Sequence, residues 1–242
     1  MEVRKDSFAR KNRRIEVVFF DAGETLIHPH PSFVDLFVAT CARGGVEVDR
    51  FRIPQVTRSL LREIEERQRE GFTFTTSPQE SRDFWIKFYA DLLRELGGDG
   101  DFNMAIELYR TFSYPGNYTA YPDAREILPS LRGRGLQLGL ISNFEEWLEC
   151  LLEELGLLPY LDLVYISGKV GVEKPHPGIF QAALEGAGVE PERAMHVGDS
   201  LLSDVEGARS VGITPVIIDR FHHYPDVDCY RITDLRQLEN IL

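Results

Sequence analysis

The chain has 242 residues, with 27 Lys or Arg against 39 Asp or Glu and a formal net charge of −12. So acidic a chain is not a nucleic-acid binder, and no apolar run approaches the ~20 residues that span a bilayer, so no membrane partner is expected. Its cysteines, Cys41, Cys150 and Cys229, are three in number and far apart; they fit reduced thiols and a cytoplasmic location rather than a disulfide framework or a zinc knuckle.

Residues 1–14 are rich in Arg and Lys and read as a basic, solvated arm. The run 15–20 (IEVVFF) is nearly continuous in apolar character and predicts a buried parallel strand ending at Asp21. From 32 to about 113 the pattern turns helical, with helices expected over 32–42, 54–70, 78–96 and 102–112. Pro-bearing segments at 27–31 and 114–122 bracket this region and suit the hinges of an inserted domain. Beyond them, strands over 137–141, 163–166, 194–197, 215–218 and 230–232 alternate with helices over 123–134, 144–155, 177–185, 204–211 and 234–242. That alternation predicts an α/β, Rossmann-like doubly wound parallel sheet. The expected domains are a core of 15–27 and 119–242 and a helical cap of 28–118.

Four short segments fall at predicted strand ends, where an open α/β sheet binds its ligands. The first is Asp21-Ala22-Gly23-Glu24-Thr25, a carboxylate at a strand tip followed by a turn, suited to nucleophilic attack or to N-capping. The second is Ser142-Asn143, where a hydroxyl and backbone N–H groups can bind an anion or cap a helix. The third holds Lys174 before Pro175, a fixed positive charge or a solvated surface lysine. The fourth carries Asp199 and Asp204, oxygen donors for a hard cation or a turn and a cap.

Taken together, the stretches 17–26, 138–143, 171–180 and 196–212 resemble the haloacid dehalogenase (HAD) superfamily of hydrolases. The run 121–218 looks most like the branch named for haloacid dehalogenase-like hydrolase domain-containing protein 3. The resemblance implies a phosphatase acting on a small phosphorylated metabolite. Asp21 would form an aspartyl-phosphate and Thr25 would orient its loop. Ser142, Asn143, Lys174 and the Gly23 backbone would bind the phosphoryl group. Mg²⁺ would be held by Asp21, the Gly23 carbonyl, Asp199 and, directly or through water, Asp204. The pattern departs from the superfamily two residues after the nucleophile, where Gly23 replaces the usual acid–base Asp. Glu24 is the neighbouring candidate for that role.

This departure keeps other chemistries open. Superfamily dehalogenases also lack that Asp, but they need no metal, and the Asp199–Asp204 pair argues against them. Phosphonatases use a cap Lys as a Schiff base, and Lys87 is the only Lys of the expected cap; its surroundings read as a solvated helix face. A non-enzymatic phospho-ligand or protein binder is the remaining reading. His28 and His30 read as linker residues, and His196 as a hydrogen-bonded core histidine. His222 and His223, with Asp226 and Asp228, form a loop without zinc spacing. Phe84, Trp85, Phe88 and Tyr89 read as inter-helix core.

Overall fold

The computed structural model describes residues 14–98 and 100–242; the basic arm, apart from Arg14, lies outside the described residues. The chain folds into an α/β, Rossmann-like core and a helical unit. Strand β1 (Val17–Phe20) is buried at every position. It sits inside a six-stranded parallel sheet of order β5-β4-β1-β6-β7-β8, with β4 Gln137–Ser142, β5 Leu163–Ile166, β6 Ala194–Gly198, β7 Thr214–Ile218 and β8 Tyr230–Ile232.

Both faces of the sheet are covered, which is why β1 is apolar throughout rather than alternating. Val18 and Phe20 face one cluster with Ile127, Leu131 and Leu151, whereas Val17 and Phe19 face another with Ile179, Phe180 and Ala183. Gly139 of β4 is glycine for a packing reason: a Cβ there would stand 2.6 Å from the Phe19 ring.

Between β1 and β4 the chain builds four helices, α1 Phe33–Arg43, α2 Ile53–Arg69, α3 Pro78–Glu95 and α4 Phe102–Phe112. They bury a third cluster of their own, including Phe37, Phe88, Tyr89, Leu92 and Leu108. Phe84, Trp85, Phe88 and Tyr89 belong to its aromatic stack, as expected; Phe84 packs on Phe74 with ring centroids 3.9 Å apart. Among the described residues no helix is long and apolar enough to cross a membrane.

Four local expectations are corrected. The hinges at 27–31 and 114–122 are not plain linkers: β2 (Ile27–Pro29) and β3 (Tyr118–Ala120) pair as an antiparallel ribbon, which includes His28. Three-residue strands are too short to register as a periodic pattern. After α5 (Pro122–Gly133), helix α6 (Leu148–Glu154) starts four residues later than position 144, because Glu145 turns its carboxylate onto Trp147 and the helical unit. Past the short α7 (Ser167–Val170) and α8 (Pro177–Ala187), the helix expected from 204 begins at Leu201. It opens as a wide π turn to Glu206 and continues as α9 (Gly207–Ser210). The terminal segment Leu235–Asn240 is a 3₁₀ helix: Leu235 and Leu238, both fully buried, are three apart and stack on one side of its three-residue turn.

Candidate active site

The strand register assembles the site. Phe20 pairs with Leu140 on one side and Val197 on the other, so Asp21 emerges between Ser142 and the Gly198–Asp199 turn. The Asp21 N–H donates to the Val197 carbonyl at 2.8 Å, which prolongs the β1–β6 ladder by one bond. β1 is also where the sheet order changes direction, with β4 and β5 to one side and β6 to β8 to the other. A crevice at that point is where such sheets bind ligands.

Asp21 Oδ1 accepts from the Ser142 hydroxyl at 3.0 Å and from Lys174 Nζ at 2.7 Å. Lys174 is 1% exposed, a fixed buried charge rather than a solvated surface lysine, and donates also to Asp204 Oδ1 at 2.6 Å. Asp204 is held on three sides: Lys174, His196 Nε2 at 2.8 Å, and the Ser200 N–H, which donates to Oδ2 at 2.9 Å. Its carboxylate lies against the strand end because position 198 is glycine; a Cβ there would stand 2.1 Å from Asp204 Cγ. His196 is buried with its Nδ1 unpartnered among the described residues, and burial pulls its pKa down despite Asp204, so it is a neutral donor.

The electrostatics follow from this crowding. Burial raises the Asp204 carboxyl, but Lys174 and His196 outweigh it and hold the group well below the usual carboxylate range. Asp21 is raised by burial and by Asp204, against the pull of Lys174. Asp199 is raised well above its ordinary value by burial and by the charges of Asp21, Asp204 and Glu24. Burial lowers Lys174, but Asp204 and Asp21 more than reverse it, so it stays charged.

Ligand atoms of Asp21, Asp199 and Asp204 all lie within 4.8 Å of one another. Three clustered carboxylates face one ammonium, and the all-oxygen donor set with its uncompensated negative charge fits a hard divalent cation. The pair His222–His223 gathers no such group: the His223 ring contacts Arg58 and the His222 ring contacts Arg231.

Thr25 is fully buried beneath the loop, with its hydroxyl unpartnered among the described residues and its carbonyl accepting from Arg220 at 2.8 Å. Gly23 bridges to Ile27 through its backbone, and a Cβ placed on it meets nothing within 4 Å. Glu24 adopts a left-handed backbone (φ 51°) and accepts from the Tyr121 hydroxyl; burial raises its pKa although Tyr121, His28 and Arg220 oppose the shift. The Asn143 side chain clasps the Lys174 backbone, donating to the Lys174 carbonyl and accepting from the Lys174 N–H, both at 2.7 Å, which leaves only the Asn143 backbone for the anion-binding role expected of this segment.

Sequence reasoning missed Tyr121, Arg220 and Asp123. Arg220 lies 3.7 Å over the Tyr121 ring and pairs with Asp123, fixing the Glu24–Thr25 turn from behind. Only the placement of Arg220 just past the strand expected over 215–218, and of Asp123 at the head of the helix expected over 123–134, hinted at them.

A family model described as haloacid dehalogenase-like hydrolase matches residues 15–212. The chain is 32% identical over 211 residues to a human protein named haloacid dehalogenase-like hydrolase domain-containing protein 3, covering 85% of this chain and 82% of that one. It is also 32% identical to a glyceraldehyde 3-phosphate phosphatase of Pyrococcus furiosus, over 95% and 94% of the two chains. A solved 2-haloacid dehalogenase from Pseudomonas syringae pv. Tomato shares the fold with a TM-score of 0.58 at 23% identity, covering 94% of this chain and 97% of that one. With its core motifs gathered at the carboxyl ends of the central strands and the family model spanning them all, the chain belongs to the haloacid dehalogenase-like hydrolases.

Proposed function

We propose that this protein is a Mg²⁺-dependent phosphatase acting on a small phosphorylated metabolite, with Asp21 as the phosphoryl acceptor. The observation that carries this reading is the contact of one Asp21 oxygen with both Ser142 and Lys174, beside a carboxylate cluster that calls for a cation. Similarity to a glyceraldehyde 3-phosphate phosphatase over nearly the whole chain supports it.

Asp21 Oδ1 is oriented by two donors, and Oδ2 has no protein donor among the described residues, so it is the better nucleophile. It attacks phosphorus, and the bond from phosphorus to the leaving oxygen breaks to give an aspartyl-phosphate. Ser142 and Lys174 receive the negative phosphoryl oxygens, since such a transfer depends on positioning and charge compensation. Asp21, the Gly23 carbonyl and Asp199 would hold Mg²⁺, with Asp204 directly or through water, and the ion would supply the remaining positive charge. Asp204 keeps Lys174 aimed at Asp21.

Glu24 protonates the leaving alkoxide and then takes a proton from the water that attacks phosphorus, regenerating Asp21. Its burial-raised pKa suits a group that must both give and take a proton. The helical unit serves as a cap that excludes water. Lys87 is exposed and paired with Asp91, which disfavours a Schiff-base role.

The test is phosphate release from a panel of phosphomonoesters with Mg²⁺ or EDTA, beside halide release from 2-haloacids, with Asp21→Asn as control. The reading expects Mg²⁺-dependent phosphate release lost in Asp21→Asn. Metal-independent halide release would select the dehalogenase, and neither product would favour a binding role.

A further inference from the structure

Glu173, the residue before Lys174, is 2% exposed and takes no part in the chemistry above. Its Oε2 accepts from the Phe74 N–H at 3.1 Å, the Thr75 N–H at 2.7 Å and the Thr75 hydroxyl at 2.6 Å. Its Oε1 accepts from Gln68 Nε2 at 3.3 Å. Every one of these donors belongs to the helical unit, Gln68 to α2 and the others to the loop between α2 and α3. The Thr75 hydroxyl in turn accepts from Ser167 at 2.7 Å, and Ser167 Oγ accepts from the Phe144 N–H next to Asn143.

A buried carboxylate is costly unless donors converge on it, and here the helical unit supplies them. When the loop leaves, water can replace each donor, so the contact is reversible in a way that an apolar interface is not. Glu173 is also bonded through the chain to Lys174, whose own backbone is clasped by Asn143. The loop therefore acts on the main chain of Lys174 from one side while Asn143 acts from the other.

We propose that Glu173 is a positioning residue: seating of the 72–77 loop on its carboxylate fixes the backbone of Lys174, so the ammonium reaches its working place only when the helical unit is closed. The coupling from loop to lysine stands on geometry alone; its consequence for turnover rests on the phosphatase reading.

Hydrogen–deuterium exchange on the full chain tests the coupling at the Phe74, Thr75 and Lys174 amides. Glu173→Ala should speed exchange about tenfold or more at all three, the loss expected for hydrogen bonds to a charged group, and leave β1 and β6 unchanged. Thr75→Val should give the same pattern at smaller amplitude. Glu173→Gln, which keeps an acceptor, should lie near wild type. With p-nitrophenyl phosphate and Mg²⁺, kcat of Glu173→Ala should fall about tenfold while KM moves less.

Unchanged exchange at Lys174, or faster exchange spread over β1 and β6, would overturn the proposal, as would an unaltered kcat. If the wild type turns over no phosphomonoester, the phosphatase reading fails, and the exchange at Lys174 alone decides the coupling.

Discussion

Asp21 and Asp204 both accept from Lys174 Nζ, yet their pKa values move in opposite directions. Asp204 has His196 and the Ser200 N–H in addition, whereas Asp21 keeps one oxygen without a protein donor among the described residues and stays closer to neutrality. The difference separates a group that holds from a group that reacts. The same logic sets Glu24 apart, since burial lifts it and a single phenol orients it. Glu24→Gln is expected to slow hydrolysis of esters with poor leaving groups ~10²-fold, with a smaller loss for p-nitrophenyl phosphate; equal rates would remove Glu24 from the mechanism. Because a side chain at position 23 meets open space, Gly23→Asp should fold normally and restore much of the rate lost in Glu24→Gln. Thiol chemistry offers an independent check on burial. Cys41 is fully buried and pushed up to about 11, so little thiolate exists at neutral pH, while Cys150 is exposed. Mass spectrometry after iodoacetamide treatment of the native protein near neutral pH should find Cys150 labelled and Cys41 untouched.

Among the elements, the turn after β1 is held by a partner distant in sequence. Arg220 follows β7, reaches the carbonyls of Glu24 and Thr25, and pairs with Asp123 of α5, which also accepts from the Leu235 N–H. Both members of this pair are nearly buried. Removing one partner of a buried ion pair strands the other, so Arg220→Ala should cost about 3 kcal/mol in urea unfolding; a loss below about 1 kcal/mol would show that water replaces the guanidinium. The elements themselves differed in how openly the sequence declared them. Central strands were legible because burial on both faces demands apolar runs such as Val17–Phe20. The β2–β3 ribbon was not, because its pairing spans some ninety residues and its strands have three each. The π turn at Leu201–Glu206 escaped because it follows from the Ser200 hydroxyl accepting from the Ser203 N–H while Asp204 accepts from the Ser200 N–H, local polar contacts that hydrophobic spacing does not register.

At the scale of the whole molecule, a parallel sheet converts order along the chain into proximity at the carboxyl ends of its strands. Asp21, Ser142, Lys174 and Asp204 are separated by up to 183 residues, the difference between positions 21 and 204, and meet within hydrogen-bond distance. Their residue types and strand-end placement were legible before any coordinates. The clasp of Asn143 on Lys174 and the seating of the helical unit on Glu173 were not, since both arise from loops whose side-chain directions follow only from the assembled fold. The central claim is that Asp21 accepts the phosphoryl group. It is tested most directly by acid-quenching the enzyme during turnover of a phosphomonoester with Mg²⁺, reducing with borohydride and sequencing the peptides by mass spectrometry. An acyl phosphate at Asp21 predicts homoserine at position 21 and nowhere else; an unmodified Asp21 under conditions of steady phosphate release would contradict the account.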